Sequence, residues 1–172
     1  MRAYFFGNMY LSSIQQGIQA QHCTTEIFNK YFPRPTFVGE KCCFTASEQL
    51  VALCNWSHDH KVDILLNAGY SSTLHEIYEL MGDDENPYPY AKFHESEEAL
   101  DGALTCVGIM LPDAIYDTAF TIRNTRGREG ADMAANLNQY GEFEDPDTGA
   151  KYFFTKFQVW IINEINKYGL AK

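Results

Sequence analysis

Positive charge is scarce in this chain. Thirteen lysines and arginines stand against 23 aspartates and glutamates, for a net charge of −10 over 172 residues. Proteins that grip long stretches of nucleic acid neutralise phosphates with Lys and Arg, so an extended nucleic-acid interface is excluded, while one local basic pocket is not. Cysteine is also sparse. The five cysteines are odd in number and two of them, Cys42 and Cys43, are adjacent, a poor framework for disulfides. No apolar run approaches the ~20 residues that a membrane helix requires. The opening Met-Arg-Ala-Tyr-Phe-Phe has neither a long apolar stretch nor a small-residue cleavage site, so no secretion signal is expected and a reducing cytoplasm is the expected location. No internal repeat, low-complexity segment, Gly-x-Gly-x-x-Gly, phosphate-loop Lys-Ser/Thr or Gly-x-Ser-x-Gly motif occurs.

What is present reads as globular. A hydrophobic content of 45% with 15% aromatics can bury a single proper core at this length. Residues 2–7 read as a short strand. Ser12 and Ser13 cap a helix that runs to about Tyr31, with Gln15 and Gln16 completing either of two overlapping capping boxes. Ile14, Ile18, Ile27, Phe28 and Tyr31 are expected to supply most of its buried side. A loop through Gly39 leads to Thr45, read as the cap of a second helix near 46–58. A buried strand at 61–69, a capped helix at 71–82 and strands at 90–95 and 103–112 follow, then a short helix after Asp113. Beyond residue 122 come a basic loop, a hairpin over 142–154 and a helix near 155–168. The expected fold is a three-layer α/β arrangement, a four-strand mixed sheet covered by helices plus a C-terminal hairpin and helix. It is read as one domain, with residues 122–172 packed on a 1–121 core.

Several constellations carry potential chemistry. Gln15, Gln19, His22 and Glu26 recur at helical spacing, and amides, imidazole and carboxylate in a row can hold a polar ligand. Ser12 and Ser13 present backbone N–H groups at a helix N-terminus, a ready anion site. Arg123, Arg126 and Arg128 put three of only five arginines within six residues, and guanidinium forks bind phosphate bidentately. Their alternative role is to offset Glu129 and Asp132. His94 beside Glu95, Glu97 and Glu98 could act as a general base, or belong to a solvated acidic loop. His58-Asp59-His60 lacks a second ligand cluster, so no metal site is expected. Cys23 reads as a buried small residue rather than a nucleophile.

The helix segment Ser-Ile-Gln-Gln-Gly-Ile-Gln-Ala-Gln and the later AKFHESEEALDGALTCVGIMLP resemble the type 2 peptidyl-tRNA hydrolase family in layout over about residues 2–120. Gly17, Ile18, Ala20 and Gln21 echo the family's first helix; Gly102 and Pro112 echo its loop and strand end. The resemblance implies a pocket formed by the start of the first helix and the loop at 94–102. Two family groups are replaced. Gln16 and Gly17 stand where the family carries a lysine, and His94 or Glu95 where it carries an Asp. An enzyme so altered needs another means of stabilising charge developing on an ester.

The expected function is binding of a phosphorylated, nucleotide-sized ligand in that pocket: a nucleotide signal or the 3′ end of an RNA. Sequestration without turnover would suffice, as small viral counter-defence proteins practise it. Ser12, Ser13, Gln15, Gln16, Gln19, His22, Glu26 and the three arginines would bind, and no cofactor is needed. A first alternative is an ester hydrolase acting on peptidyl- or aminoacyl-tRNA, with His22, His94 and Glu95 as catalytic candidates. A second is an interaction module using Phe153, Phe154, Phe157 and Trp160 as a docking or homodimer surface.

Overall fold

The computed structural model describes residues 1–32, 36–38, 41–43, 46–125 and 137–171. Its centre is a four-stranded mixed sheet of β1 (Arg2–Gly7), β4 (Asp63–Asn67), β5 (Tyr90–His94) and β6 (Leu104–Leu111), in the order β4-β1-β6-β5. β1 runs parallel to β4, and β6 runs antiparallel to both β1 and β5. β1, β4 and β5 therefore end at the same edge of the sheet, where β6 begins. Open α/β sheets place their ligand crevices at such an edge.

Helices cover both faces. α1 (Ser13–Tyr31) and α2 (Glu48–Asn55) pack with Ala3, Phe5, Cys106 and Met110 on one side. α3 (Ser71–Met81), α5 (Asp113–Thr125) and α6 (Lys156–Lys167) pack with Tyr4, Phe6, Val107 and Ile109 on the other. The alternation of strand side chains between faces sorts the two clusters. The hairpin β7 (Glu142–Glu144) and β8 (Lys151–Phe153) adds Phe143 to the second cluster. The three-layer α/β expectation and the C-terminal hairpin and helix are thus present. A second hairpin, β2 (Thr36–Val38) with β3 (Lys41–Cys43), and a one-turn helix α4 (Glu97–Leu100) are additions. None of the described helices is long and apolar enough to cross a membrane.

α1 is the element that departs most from expectation. Ile14 and Ile18 are 78% and 51% exposed, while Gln16, Gln19, Ala20, Cys23, Thr24 and Ile27 face inward. The inward face is set by close packing on β5 and β6. Gly108 in β6 leaves the room for it: a Cβ there would sit 2.8 Å from the Phe5 ring and 3.0 Å from Cys23 Sγ. Capping selects Ser12 and Gln15 of the two overlapping boxes. α2 is capped by Ser47, whose hydroxyl accepts from Leu50 N–H; Thr45 lies outside the described residues. α2 then gives way to a five-residue π-helical turn, Trp56–His60, which carries His58 and His60 at the surface.

Candidate functional site

A cleft of about 350 Å³ opens at the edge where β1, β4 and β5 end. Asn8, Ser71 and Thr105 contribute its polar surface, Leu11 and Leu100 its apolar surface, and Tyr10 and Tyr70 flank it. The two tyrosines are 80% and 59% exposed. Asn8, itself buried, ties the surrounding segments together. Its Nδ2 donates to Ser71 Oγ (3.1 Å) and to Leu104 O (3.2 Å), and its Oδ1 accepts from Tyr10 N–H (3.0 Å). Ser71 Oγ also donates to Leu104 O (3.0 Å).

α1 and α3 both begin at this edge, and their N-termini differ. α1 is closed by its own capping box: Ser12 Oγ accepts from Gln15 N–H, and Gln15 Oε1 accepts from Ser12 N–H at 3.0 Å. α3 starts after Tyr70, which offers no side-chain cap. The first N–H groups of a helix have no intrahelical partner, and those of Ser71, Ser72 and Thr73 donate to no group among the described residues. Three aligned donors at the positive end of a helix dipole therefore stand free beside the cleft.

Thr105 joins the cleft to a buried chain of polar groups. β5 and β6 lose register at Phe93/His94: Phe93 pairs with Cys106 but His94 with Leu104, leaving Thr105 as the extra residue. A bulge of this kind re-aims a side chain. Thr105 Oγ1 donates to Gln19 Oε1 at 2.8 Å, and Gln19 Nε2 donates to Glu95 Oε1 at 2.8 Å. Glu95 Oε2 accepts from Ser96 N–H at 3.3 Å. Both oxygens of a half-buried carboxylate are thereby held, and the Gln19 amide is oriented at both ends.

The expected site residues part company. Gln15 serves the cap and is exposed. Gln16 is buried: its Nε2 donates to Leu11 O at 3.0 Å, and its Oε1 lies over Gly7, where a Cβ would come within 2.6 Å. Gln19 and Glu95 meet. His22 is exposed and stacks on Phe93 (4.7 Å between centroids, 20° between planes), with no hydrogen bond to either. Glu26 is half-buried, four residues further along α1. His94 Nδ1 lies 2.9 Å from Gly102 O, a contact in which the ring nitrogen donates to the carbonyl. Its ring sits 5.7 Å from that of His75. Ser13 opens α1 and is exposed.

Arg123 does not join this group. It belongs to α5, across the sheet from α1, and its Nη2 donates to Ile165 O (2.8 Å) and Tyr168 O (3.1 Å) at the carboxyl end of α6. A cation there satisfies helix-end carbonyls and complements the dipole. Arg126 and Arg128 lie outside the described residues. Substituting Arg123 by methionine is expected to lower stability by about 1 kcal/mol through those two bonds, read as a shift in the urea midpoint.

Sequence reasoning passed over Asn8, Tyr10, Tyr70, Ser71 and Thr105. For Thr105 a signal was there: a lone hydroxyl inside Leu-Thr-Cys-Val-Gly-Ile-Met-Leu must find a partner once that strand is buried. No family model, curated protein or solved structure matches this chain.

Proposed function

We propose that the protein binds a phosphorylated, nucleotide-sized ligand in the cleft at the strand ends. The observation that carries this is the cleft itself: two exposed tyrosines flank a largely apolar floor, beside the uncapped start of α3. Exposed tyrosine rings offer faces on which a base stacks. A phosphate group takes the N–H groups of Ser71, Ser72 and Thr73, and the sugar lies over the apolar floor that Leu11 and Leu100 supply. Arg123 has no part in this arrangement, since its guanidinium is committed across the sheet.

A panel of mononucleotides, cyclic nucleotides and ADP-ribose tests the reading by thermal shift. A ligand at a hundred times its Kd adds about 2.7 kcal/mol, which for a chain of this size raises Tm by about 5–10 °C. Tyr70→Ala should remove most of that shift while leaving the unliganded Tm nearly unchanged, because the ring is largely in solvent. No shift from any member at millimolar concentration would refute the proposal.

The chain from Thr105 through Gln19 to Glu95 favours a second reading, hydrolysis of an aminoacyl or peptidyl ester at an RNA 3′ end, in line with the resemblance to type 2 peptidyl-tRNA hydrolases. Thr105 would hold the Gln19 amide, Gln19 would hold Glu95, and the Glu95 carboxylate would take the proton of an attacking water. Release of amino acid from charged tRNA, lost in Glu95→Gln, separates this reading from binding alone.

A further inference from the structure

Across the sheet from α1, a second cavity of about 320 Å³ opens between β4, α5, α6 and the segment that follows α6. Its size falls at the lower end of the ~300–1,000 Å³ that small-molecule sites span. Ile64, Leu66, Ile165 and Leu170 give it aliphatic walls, and the stacked rings of Tyr116 and Phe120, 5.7 Å apart, an aromatic one. Polar side-chain groups are few. The Asn166 amide is closed to water and takes no part, which leaves the hydroxyls of Tyr4 and Tyr116 and the guanidinium of Arg123.

Two of these lack the partners their chemistry asks for. Tyr4 is only 2% exposed, and its hydroxyl makes no hydrogen bond among the described residues, yet it is not sealed from water as the Asn166 amide is. A buried hydroxyl without a partner is rare in a native fold. Burial, chiefly, raises its pKa above the ordinary tyrosine value, so it stays protonated and can donate. Arg123, half-buried, uses Nη2 alone, on the Ile165 and Tyr168 carbonyls. Those carbonyls are neutral, and no carboxylate among the described residues pairs with the guanidinium. Arg2, which lies over the Tyr116 ring, does have such a partner in Asp113. The charge of Arg123 also acts on the Tyr4 hydroxyl, so the two donors belong to one neighbourhood.

The surroundings narrow the ligand. A plain hydrocarbon would fill the walls and leave both donors unanswered. A phosphate would bring more charge and a firmly held hydration shell against apolar side chains. A carboxylate on an alkyl chain meets both demands, because guanidinium and phenol donors suit its two oxygens and the chain takes the walls. We propose that this cavity binds a medium-chain fatty acid, its carboxylate on Arg123 and Tyr4 and its tail between Tyr116, Phe120 and Leu170. The site is distinct from the cleft at the strand ends and does not depend on the function proposed there.

Calorimetric titration of the full chain at neutral pH is the test, with octanoate, octanol and octyltrimethylammonium as anionic, neutral and cationic probes of one chain length. Octanoate should bind, octanol at least tenfold more weakly, the equivalent of about 1.4 kcal/mol, and the cation not at all. Hexanoate should bind about tenfold more weakly than octanoate, because it withdraws two fewer methylenes from water. Arg123→Met should reduce octanoate binding to the level of octanol. Tyr4→Phe, which removes a hydroxyl that bonds to no described residue, should weaken octanoate about tenfold with little change in the urea midpoint. Tyr70→Ala in the other cleft should leave binding intact. No binding of octanoate at millimolar concentration, equal binding of octanol, parental affinity in Arg123→Met or Tyr4→Phe, or loss of binding in Tyr70→Ala would overturn the proposal.

Discussion

Gly108→Val is expected to be the most damaging single change at the sheet, lowering stability by about 3 kcal/mol. Gly108 lies in the fully buried strand β6, and even the first carbon of a side chain would press to 2.8 Å on the Phe5 ring and 3.0 Å on Cys23 Sγ. Phe5 is held within β1 and Cys23 within α1, so relief requires α1 to move off the sheet. That motion has a functional consequence. Gln19 lies one turn before Cys23 on the same helix, and its 2.8 Å bond from Thr105 would open. Urea unfolding should therefore show a lower midpoint with an unchanged slope, and nucleotide affinity should fall along with it. Gly108→Ala should show a smaller loss of the same sign. A variant as stable as the parent would mean that α1 does not pack as closely as described.

Thr105→Val is the second. Valine matches threonine in shape but lacks the hydroxyl. It leaves Gln19 Oε1 buried without its donor, a cost of about 1–3 kcal/mol, and frees the amide that holds Glu95. Thr105 is almost fully buried but sits in the wall of the cleft, so loosening it should lower ligand affinity about tenfold beyond what the stability loss explains, equivalent to about 1.4 kcal/mol. Thr105→Ser restores the hydroxyl and should recover most of both. Denaturation and calorimetry on the three proteins separate the two effects: a purely structural Thr105 would change stability while leaving affinity untouched.

Much of the fold was legible because its signals are local. The apolar run at 104–111 could only be a buried strand, Asp-Pro-Asp-Thr-Gly could only turn, and Phe157, Ile161 and Ile165 recur on one helical face. The side chains of α1 were not legible for the opposite reason. Hydrophobic periodicity places Ile14 and Ile18 inside, but the helix buries Gln16 and Gln19, because Gln19's partners arrive from Glu95 and Thr105, 76 and 86 residues away. An amide can be buried once such partners exist, and no local pattern announces them. Arg123 illustrates the same limit. Its clustering with other arginines and its charge are visible in sequence, whereas its position across the sheet from α1 depends on how α5 and α6 dock. The three-residue strands β2 and β3 are too short for alternation to register.

The central claim, that the ligand site is the cleft at the strand ends, is tested most directly by an amide NMR titration with adenosine 5′-monophosphate. Its phosphate should perturb the N–H resonances of Ser71, Ser72 and Thr73, with Tyr10, Tyr70 and Thr105 responding at the same concentration. Perturbation confined to α5 and α6 around Arg123, or none at millimolar nucleotide, would contradict it.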